Sequence, residues 1–571
     1  MDTQRLILFV IFSFSALFLW EAWQKENRPP APPATATASA KPGGAPAAPS
    51  DLPAVPAAAM AGGAAAVPGA PPTAPADTAS QARLLTVRTD LYTATIDPVG
   101  GVITEVALSG HHDPVDEAKP YRVLAKTADR TFVAQSGLLG TGWPNHRTVY
   151  EVLPGPTEMA AGVNRLDVRL QAVGPGGDKV VQVLTFHRDT YVIDVAYDVT
   201  NAGSAPIAPY AYFQFTRDTK AAMQQNSMAP ASFIGPAIYT DADKYKKVEF
   251  GEIDKLAADP TRKPPYTKTS DNGWIGMVEH YFVAAWLPSD EAKVHREFFT
   301  RKLDNGLYAA GVVVPVGTIA PGASGELRIP LYVGPQDQDA LAKLAKGLDL
   351  VVDYGIFTVI AAPLFWLLKW LYGLIGNWGW AIVAMTIIVK SVFYPLNHAS
   401  ARSMAKMKVI APKLKALQEQ YANDKQQLQI KMMEMYKQEK INPLGGCLPI
   451  LVQIPVFIAL YWVLLSAVEL RNAPWFGWIN DLSAPDPYFV LPVIYAITAY
   501  LQVKLSPTPI SDPVQAKVMQ IMPIAFSVMF VFFPSGLVLY WLINNCIQIF
   551  QQWHMNYLLE KEAQTAAAKR R

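Results

Sequence analysis

Cysteine, charge and phosphate-binding motifs are scarce in this chain of 571 residues. The two cysteines, Cys447 and Cys546, both lie in the apolar C-terminal part, so the sequence predicts no disulfide framework. Only 17% of the residues are charged and the net charge is +2, which excludes the broadly basic surface of a protein that binds nucleic acid by itself. The sequence has no glycine-rich phosphate loop and no nucleophile elbow, so it indicates neither catalysis nor a cofactor.

Hydrophobic residues, in contrast, make up 51% of the chain, which indicates membrane spans in a protein too long for one core. An apolar run at residues 6–23 follows Arg5 and is long enough for a span if Glu21 lies at the interface. Small residues typical of a signal-peptidase site do not follow it, so an uncleaved anchor over residues 1–28 is favoured over a signal peptide. Residues 29–82 are rich in Ala and Pro without an aromatic side chain, and they predict a disordered linker.

Period-two alternation marks the next region, residues 83–336. In residues 191–200, apolar side chains at every second position predict a half-buried strand. Similar strands are predicted at residues 91–96, 102–108, 180–186, 210–215, 307–314 and 327–333, with turn sequences rich in Gly, Pro and Asn between them. We therefore expect a large antiparallel β-sandwich, the all-β part of a multi-domain protein.

The remainder is apolar and helical, with hydrophobic segments at residues 354–375, 378–396, 447–470, 488–505 and 518–557. The last segment is broken at Phe533-Pro534-Ser535-Gly536 and predicts two spans. The loop at residues 397–446 holds nine Lys and Arg against four acidic residues, which places it in the cytoplasm. If the segments at residues 354–375 and 378–396 both crossed the membrane, this basic loop would emerge on the same side as the β-region, which the anchor places outside the cytoplasm. One of the two segments must therefore not cross.

Residues 354–375 are the better candidate for the membrane interface, because Pro363 and Lys369 lie mid-segment among several aromatic residues. The predicted architecture is thus an α-helical membrane bundle of six spans with both termini cytoplasmic. It comprises an interfacial helix region at 337–376, a helical core at 377–560 and a short basic tail at 561–571.

Lys390 is a positive charge inside the second predicted span, about 9 Å of helix from its cytoplasmic end. One alternative is that its stem snorkels to the membrane surface; the other is that it faces a wet cavity. Polar neighbours favour a cavity, although any single amide among them could simply bond two helices together. These neighbours carry no carboxylate, so the sequence predicts a positive, water-accessible groove; the candidate groove residues are Lys390, Thr386, Gln453, Tyr540, Trp541, Asn544, Asn545 and Gln548.

The basic loop predicts a helical hairpin from residues 399–421 and 425–439. Its apolar faces either pack on each other or leave methionines such as Met404, Met407 and Met432 as an adaptable surface for clients. His111-His112 is interpreted as a turn pair, because no third metal ligand lies at a usable spacing.

Several runs resemble the signature sequences of YidC, an insertase family related to the mitochondrial Oxa and chloroplast Alb proteins. In the helical part they are Asn442-Pro443-Leu444-Gly445-Gly446-Cys447, Val468-Glu469-Leu470-Arg471, Asp481-Leu482-Ser483, Asp486-Pro487-Tyr488 and Phe533-Pro534-Ser535-Gly536. Gly376-Asn377-Trp378-Gly379 and Gly273-Trp274 extend the resemblance upstream, so that it covers nearly everything except the linker.

The resemblance implies a Gram-negative type of insertase, with a periplasmic β-supersandwich similar to galactose mutarotases and a core of five helices in the inner membrane. It also implies an amphipathic helix before that core, and a groove open to cytoplasm and lipid with a positive residue at the position of Lys390. The usual residue there is arginine, so lysine keeps the charge but lacks the planar fork. Another departure is Trp541, where a second tyrosine often follows Tyr540. Implied partners are nascent membrane proteins as clients, the Sec translocon, membrane lipids and the translating ribosome. The short basic tail at 561–571 offers little surface for docking the ribosome.

The expected function is therefore energy-independent membrane protein insertion and chaperoning, without a chemical reaction, cofactor or metal. Two other classes fit less well. A secondary transporter would need broken helices with inverted repeats, which the sequence lacks. A sugar-modifying enzyme in the β-region would rest on fold analogy alone.

Overall fold

The structure, a computed structural model, describes residues 51–54, 56, 84–113, 116, 118–220, 232–259, 261–291, 293–421, 424–438, 448–505, 521–522, 525 and 527–570. The expected anchor, most of the linker and most of residues 518–526 lie outside the described residues. The same holds for Cys447 and for the side chains of Met404 and Met407.

The described part of residues 84–335 contains two antiparallel sheets of nine strands each, here called the β-domain. The first sheet has the strand order β1-β2-β3-β4-β5-β10-β17-β16-β13, and the second has the order β12-β11-β14-β15-β18-β9-β8-β7-β6. The strands are β1 (Leu85–Arg88), β2 (Tyr92–Asp97), β3 (Val102–His112), β4 (Pro120–Lys126), β5 (Thr131–Leu139), β6 (Glu151–Val152), β7 (Arg165–Val173), β8 (Lys179–His187), β9 (Val192–Thr200), β10 (Tyr210–Arg217), β11 (Gly235–Thr240), β12 (Lys244–Lys247), β13 (Thr269–Ser270), β14 (Trp274–Val278), β15 (Phe282–Trp286), β16 (Arg296–Lys302), β17 (Tyr308–Pro315) and β18 (Ser324–Pro335).

Successive side chains of each strand point to opposite faces of the sheet, so every second one lies in the core between the two sheets. In β9, Ile193, Val195, Tyr197 and Val199 are all buried there. The prediction of an antiparallel all-β region is therefore confirmed, and each of the seven predicted strands overlaps an observed one. Their ends shift by a few residues, because backbone pairing continues beyond the apolar run that marks a strand in the sequence.

Helices dominate the rest of the described chain. They are α1 (Phe250–Ala258), which packs on the β-domain, and then α2 (Gln338–Leu344), α3 (Thr358–Ile375), α4 (Trp378–Val392), α5 (Tyr394–Gln420), α6 (Lys425–Gln438), α7 (Leu448–Ser466), α8 (Val490–Leu505) and α9 (Ser535–Arg570). By length and composition α3 could cross a membrane alone, while α4 passes only together with the start of α5 as one bent span. Two shorter apolar helices, Val452–Ser466 and Val490–Leu505, accompany them.

The junction of α3 and α4 is fixed by local sequence. Gly376 ends α3 with φ +74°, a left-handed conformation that glycine adopts without strain. The Asn377 carboxamide then caps α4 by accepting a hydrogen bond of 3.1 Å from the Trp380 amide. The same side chain donates to the carbonyls of Pro474 and Trp475, 3.1 Å away in each case, and thus ties the loop after α7 to this junction.

The β-domain rests on the helical part through aromatic and polar contacts. The Arg471 guanidinium lies over the rings of Tyr121 and Phe282, 4.9 Å and 5.3 Å from their centroids. The side chain of Val468 joins the core of the β-sandwich, and the His280 imidazole lies 3.1 Å from the Leu465 carbonyl oxygen. The segment that follows α7 is therefore packed against the β-domain.

Three local predictions need correction or refinement. The second predicted span is bent and not one straight helix: α4 stops at Val392, and the chain bends by 56° into α5, because Pro395 has no amide hydrogen for a helical bond to the Ser391 carbonyl. His111 and His112 end strand β3 and do not form a turn, because β3 pairs with β4 as far as His112. In the hairpin of α5 and α6, Leu414 packs on Met435, which favours mutual packing of the two helices over a free methionine surface.

Candidate functional site

Lys390 is the first candidate groove residue to consider. It lies on the inner side of α4 together with Ile382, Met385 and Val389, a spacing that puts one helix face against its neighbours. The side chain is only 2% exposed, and its ammonium donates a hydrogen bond of 3.4 Å to Oε1 of Gln453 in α7. A snorkelling lysine would extend away from its neighbours toward the end of the helix, whereas this one reaches across to the next helix.

Thr386 lies one turn before Lys390 and is also buried. Its hydroxyl donates to the Ile382 carbonyl of the same helix at 2.7 Å, so it is satisfied locally and does not bind the ammonium. Among the described residues, Lys390 has no carboxylate within ion-pair distance. A buried cation with one weak neutral acceptor is expensive unless water or an anionic group completes its shell.

A cavity of about 320 Å³ lies beside this pair, between α7, α8 and α9. Five of the eight predicted groove residues line it, and four apolar or aromatic residues complete the wall. The predicted members are Gln453, Tyr540, Trp541, Asn544 and Asn545, and the added ones are Ile454, Phe457, Tyr495 and Phe530. Lys390 adjoins the cavity through Gln453, while Thr386 and Gln548 are not part of its lining.

Three polar atoms around the cavity lack a hydrogen-bond partner among the described atoms. They are Nε2 of Gln453, Oδ1 of Asn544 and Nδ2 of Asn545. Buried amides are usually satisfied, and a cavity of this size with amide groups in its wall has room for water. The arrangement therefore provides unused donors and an unused acceptor beside a positive charge.

Aromatic packing forms the other wall. The Trp541 ring lies 3.9 Å from the Phe530 centroid and 4.7 Å from that of Phe457, and Tyr495 packs on Phe530 at 4.6 Å. Sequence reasoning missed Tyr495, Phe457 and Phe530, because an aromatic residue in an apolar segment usually faces lipid or core. For Tyr495 a signal existed, since its hydroxyl needs a partner within the bundle and finds the Asn545 side chain.

A polar network joins the loop before α8 to the start of α9, at the end of the bundle nearest the β-domain. Asp486 is 2% exposed, and its carboxylate accepts hydrogen bonds from Trp478 Nε1 at 2.9 Å and from the Leu491 amide at 2.7 Å. The Ser535 hydroxyl donates to the Ala484 carbonyl at 2.7 Å, and the Gly536 amide bonds to Leu482. Three of the sequence runs singled out above, those of Asp481, Asp486 and Phe533, thus meet in one network where α8 and α9 begin.

Two family models match the chain. The one described as the YidC periplasmic domain covers residues 84–367, and the one described as 60Kd inner membrane protein covers residues 370–562. A membrane protein insertase YidC from Aromatoleum aromaticum is 50% identical over 98% of this chain and 99% of its own length. Another from Dechloromonas aromatica is also 50% identical, over 99% of both chains. The chain belongs to the YidC family of membrane protein insertases.

Solved structures give a weaker comparison. A crystal structure of an active YidC insertase with its first transmembrane domain resolved is 19% identical, covers 82% of this chain and 91% of its own, and has a TM-score of 0.36. A galactose mutarotase related enzyme from Lactobacillus acidophilus covers 44% of this chain and 97% of its own at 10% identity, with a TM-score of 0.27.

Within the YidC family, this chain has the periplasmic all-β domain and the C-terminal helical region of an inner membrane protein. The cavity and Lys390 lie in that helical region, inside the part that the second family model covers. Among the described residues no group of three or more His, Cys, Asp or Glu could hold a metal ion.

Proposed function

We propose that this insertase moves the polar end of a client segment through the cavity between α7, α8 and α9, while the apolar part of the client slides along the lipid side of the helices. The observation that carries this proposal is the contact between Lys390 and Gln453 beside unpaired amide groups. A positive charge without a carboxylate attracts an acidic residue of a client, and unpaired amides replace part of the water that a polar segment loses. No bond is made or broken.

The groove shortens the apolar distance that a polar segment must cross. Side chains such as Val493, Ile497 and Leu501 of α8 are exposed on the outside of the bundle and offer a lipid-like surface. Inside, Gln453, Asn544 and Asn545 offer polar groups at intervals along the helices. The network around Asp486 ties the chain together at the β-domain end, and we propose that clients enter the cavity from the opposite end.

For the membrane topology we propose six spans, with both termini in the cytoplasm and α3 in the periplasmic interface. Support comes from Lys369 in the middle of α3, whose ammonium donates a hydrogen bond of 2.6 Å to Asp339 of α2. The helix α2 directly follows the last strand of the β-domain, so this ion pair belongs at the periplasmic surface. A crossing α3 would instead put Lys369 near the bilayer centre, which costs about 2.5 to 3.5 kcal/mol on insertion scales.

The proposal assigns residues 1–28 to an anchor, 29–82 to a linker, 83–336 to the periplasmic domain and 337–376 to the interfacial region. The insertase core is 377–560, with the hairpin at 397–446 and the tail at 561–571. The proposed partners are nascent membrane proteins, lipids, the Sec translocon and the translating ribosome. For a cytoplasmic partner, the hairpin offers exposed basic side chains such as Arg402 and Lys437.

Photo-crosslinking to a stalled nascent membrane protein tests the groove. A benzoylphenylalanine probe replaces Tyr540 or Gln453 in the full chain, and the matched control replaces Trp366, an exposed aromatic residue of α3. We expect crosslinks from the two cavity positions when the polar end of the client is in transit, and none from Trp366. Absence of crosslinks from both cavity positions would show that clients bypass the groove.

A further inference from the structure

A short stretch of the linker, residues 51–54, lies against the outer face of the first sheet. Leu52 packs on a small apolar cluster that is separate from the core of the sandwich and includes Leu139, Tyr212 and Val313. These residues belong to β5, β10 and β17, which are adjacent in the sheet. The linker segment therefore covers three neighbouring strands on the face that points away from the second sheet.

Polar contacts hold the same stretch at its Asp51. The carboxylate lies 3.0 Å from Nε2 of His146 and accepts a hydrogen bond of 3.0 Å from Nε of Arg147. The Arg301 guanidinium donates to the backbone carbonyls of Asp51 and Leu52. Gln214 adds a hydrogen bond of 3.3 Å from its Nε2 to the Asp51 carbonyl. One side chain and two backbone groups are thus recognised together.

The groups that contact Asp51 are themselves fixed by the β-domain. The Tyr212 hydroxyl bonds to the His146 backbone amide at 3.1 Å and contacts the His146 ring, which orients the imidazole. Gln214 donates to Oε1 of Gln135 at 2.9 Å and is fully buried. Fixing these polar side chains costs conformational entropy, because each loses rotamer freedom. A surface that only contacts water would leave them free to move.

We propose that this outer face is a peptide-binding site for an Asp-Leu sequence, and that its occupant is the linker of the same molecule. The aspartate carboxylate binds Arg147 and His146, Arg301 binds the adjoining backbone carbonyls, and the leucine fills the apolar patch beside them. Docking divides the linker into two arms, residues 29–50 and residues 55–82. With residues 1–28 as the anchor, only the first arm spans the distance between the anchor and the docking site, at most about 70 Å at 3.1 Å per residue.

A crosslinking experiment in the full chain, in membranes, tests this site without any insertion assay. The probe is benzoylphenylalanine at Ala54, which is exposed and makes none of the contacts above. After irradiation and digestion we expect crosslinks within one chain to peptides of β5, β10, β16 or β17. Asp51→Ala should lower their yield at least fivefold, because it removes the carboxylate that Arg147 and His146 bind.

The chain provides a matched control, since Asp77 is the other aspartate of the linker. Asp77→Ala should leave the crosslink yield unchanged. The proposal is overturned if no crosslink to these strands forms, if Asp51→Ala and Asp77→Ala give the same yield, or if the crosslinks join two different chains. Because the readout is a covalent adduct within the β-domain, its failure would not affect the proposed groove.

Discussion

The ammonium of Lys390 and Oε1 of Gln453 lie 3.4 Å apart and join α4 to α7 beside the cavity. This contact links the only charged candidate of the groove to an amide whose other end, Nε2, lacks a partner among the described atoms. A neutral acceptor leaves the positive charge unneutralised. The pair is thus suited to attract an anion transiently and to release it, which a fixed carboxylate partner would prevent.

Substitutions of Lys390 test whether charge or side-chain geometry matters. Lys390→Arg should keep insertion near the wild-type level, because it keeps the charge. Lys390→Ala and Lys390→Glu should lower insertion of clients with acidic translocated ends roughly tenfold, equivalent to about 1.4 kcal/mol, and affect neutral ends less. Insertion is measured by protease protection of the translocated end. The control is Lys504→Ala at the exposed end of α8, and equal activity of Lys390→Ala on acidic clients would disprove a role for the charge.

A second substitution keeps Lys390 but neutralises its charge with an added carboxylate. Gln453→Glu would place a carboxylate about 3.4 Å from the Lys390 ammonium and form an ion pair. We expect insertion of acidic clients to fall several-fold while the folded protein remains at least as stable. Gln427→Glu, which adds the same charge on the exposed face of α6, is the matched control. If both variants insert acidic clients equally well, the groove does not act through its charge.

The position of α3 is tested by labelling single cysteines in a chain whose own Cys447 and Cys546 are replaced. Val359 and Leu374 lie near opposite ends of α3 and are both exposed. An interfacial α3 held by Lys369 and Asp339 predicts that a membrane-impermeant thiol reagent added from the periplasm labels cysteine at either position. A crossing helix would expose the two positions to opposite sides. Labelling of only one from the periplasm would therefore contradict six spans.

The sequence predicted some parts of this protein well for physical reasons. The alternation in β9 and the apolar spacing in α4 both show which face of the element is buried, because buried positions require apolar residues. The groove itself stays a prediction, but five of its eight candidate residues line the cavity between α7, α8 and α9. Polar residues are rare in apolar segments, so they carry information. Tyr495, Phe457 and Phe530 were missed because an aromatic side chain is equally compatible with lipid and with the cavity wall.

Other features could not be predicted because they depend on distant contacts. The docking of Asp51 on His146 and Arg301 joins residues that are far apart in sequence, and a proline-rich segment gives no pattern for it. The 56° bend between α4 and α5 was missed because the apolar run continues across it to Leu396. Thr386 was placed in the groove by its spacing from Lys390, although its hydroxyl bonds within its own helix.

Glu469 predicts a dependence of stability on pH. It lies in the turn Val468–Leu470, beyond the end of α7 and against the β-domain, and burial raises the pKa of its carboxyl to about 7. Asp337 and Asp339 raise this pKa further, whereas Lys369 lowers it. The folded state binds the proton of the Glu469 carboxyl more tightly than the unfolded state does. Protonation therefore stabilises the fold fully below the unfolded pKa, and this stabilisation is lost as the pH rises through about 7.

We therefore expect Glu469→Gln to stabilise the protein at pH 8 by about 1 to 3 kcal/mol and to have little effect near pH 4.5. Thermal unfolding of the full chain in detergent at both pH values measures this difference. Glu434→Gln on the exposed face of α6 is the control, and we expect it to change the free energy of unfolding by less than about 0.5 kcal/mol at either pH. A benefit of Glu469→Gln that is the same at both pH values would refute the assignment.

Close packing at Gly379 gives the last prediction. Gly379 is buried in the first turn of α4, and a Cβ added there would overlap the Trp475 indole, which is held by the contacts of Asn377 with the Trp475 backbone. In a helix, Ala normally gains about 1 kcal/mol over Gly, but overpacking of this kind costs about 1 to 3 kcal/mol. We expect Gly379→Ala to lower the melting temperature of the full chain in detergent. Gly373 in α3 has open space around its Cβ position, so Gly373→Ala should be neutral or stabilising. If both substitutions stabilise, the loop of Trp475 yields easily, and its packing on Gly379 does not fix the junction of α3 and α4.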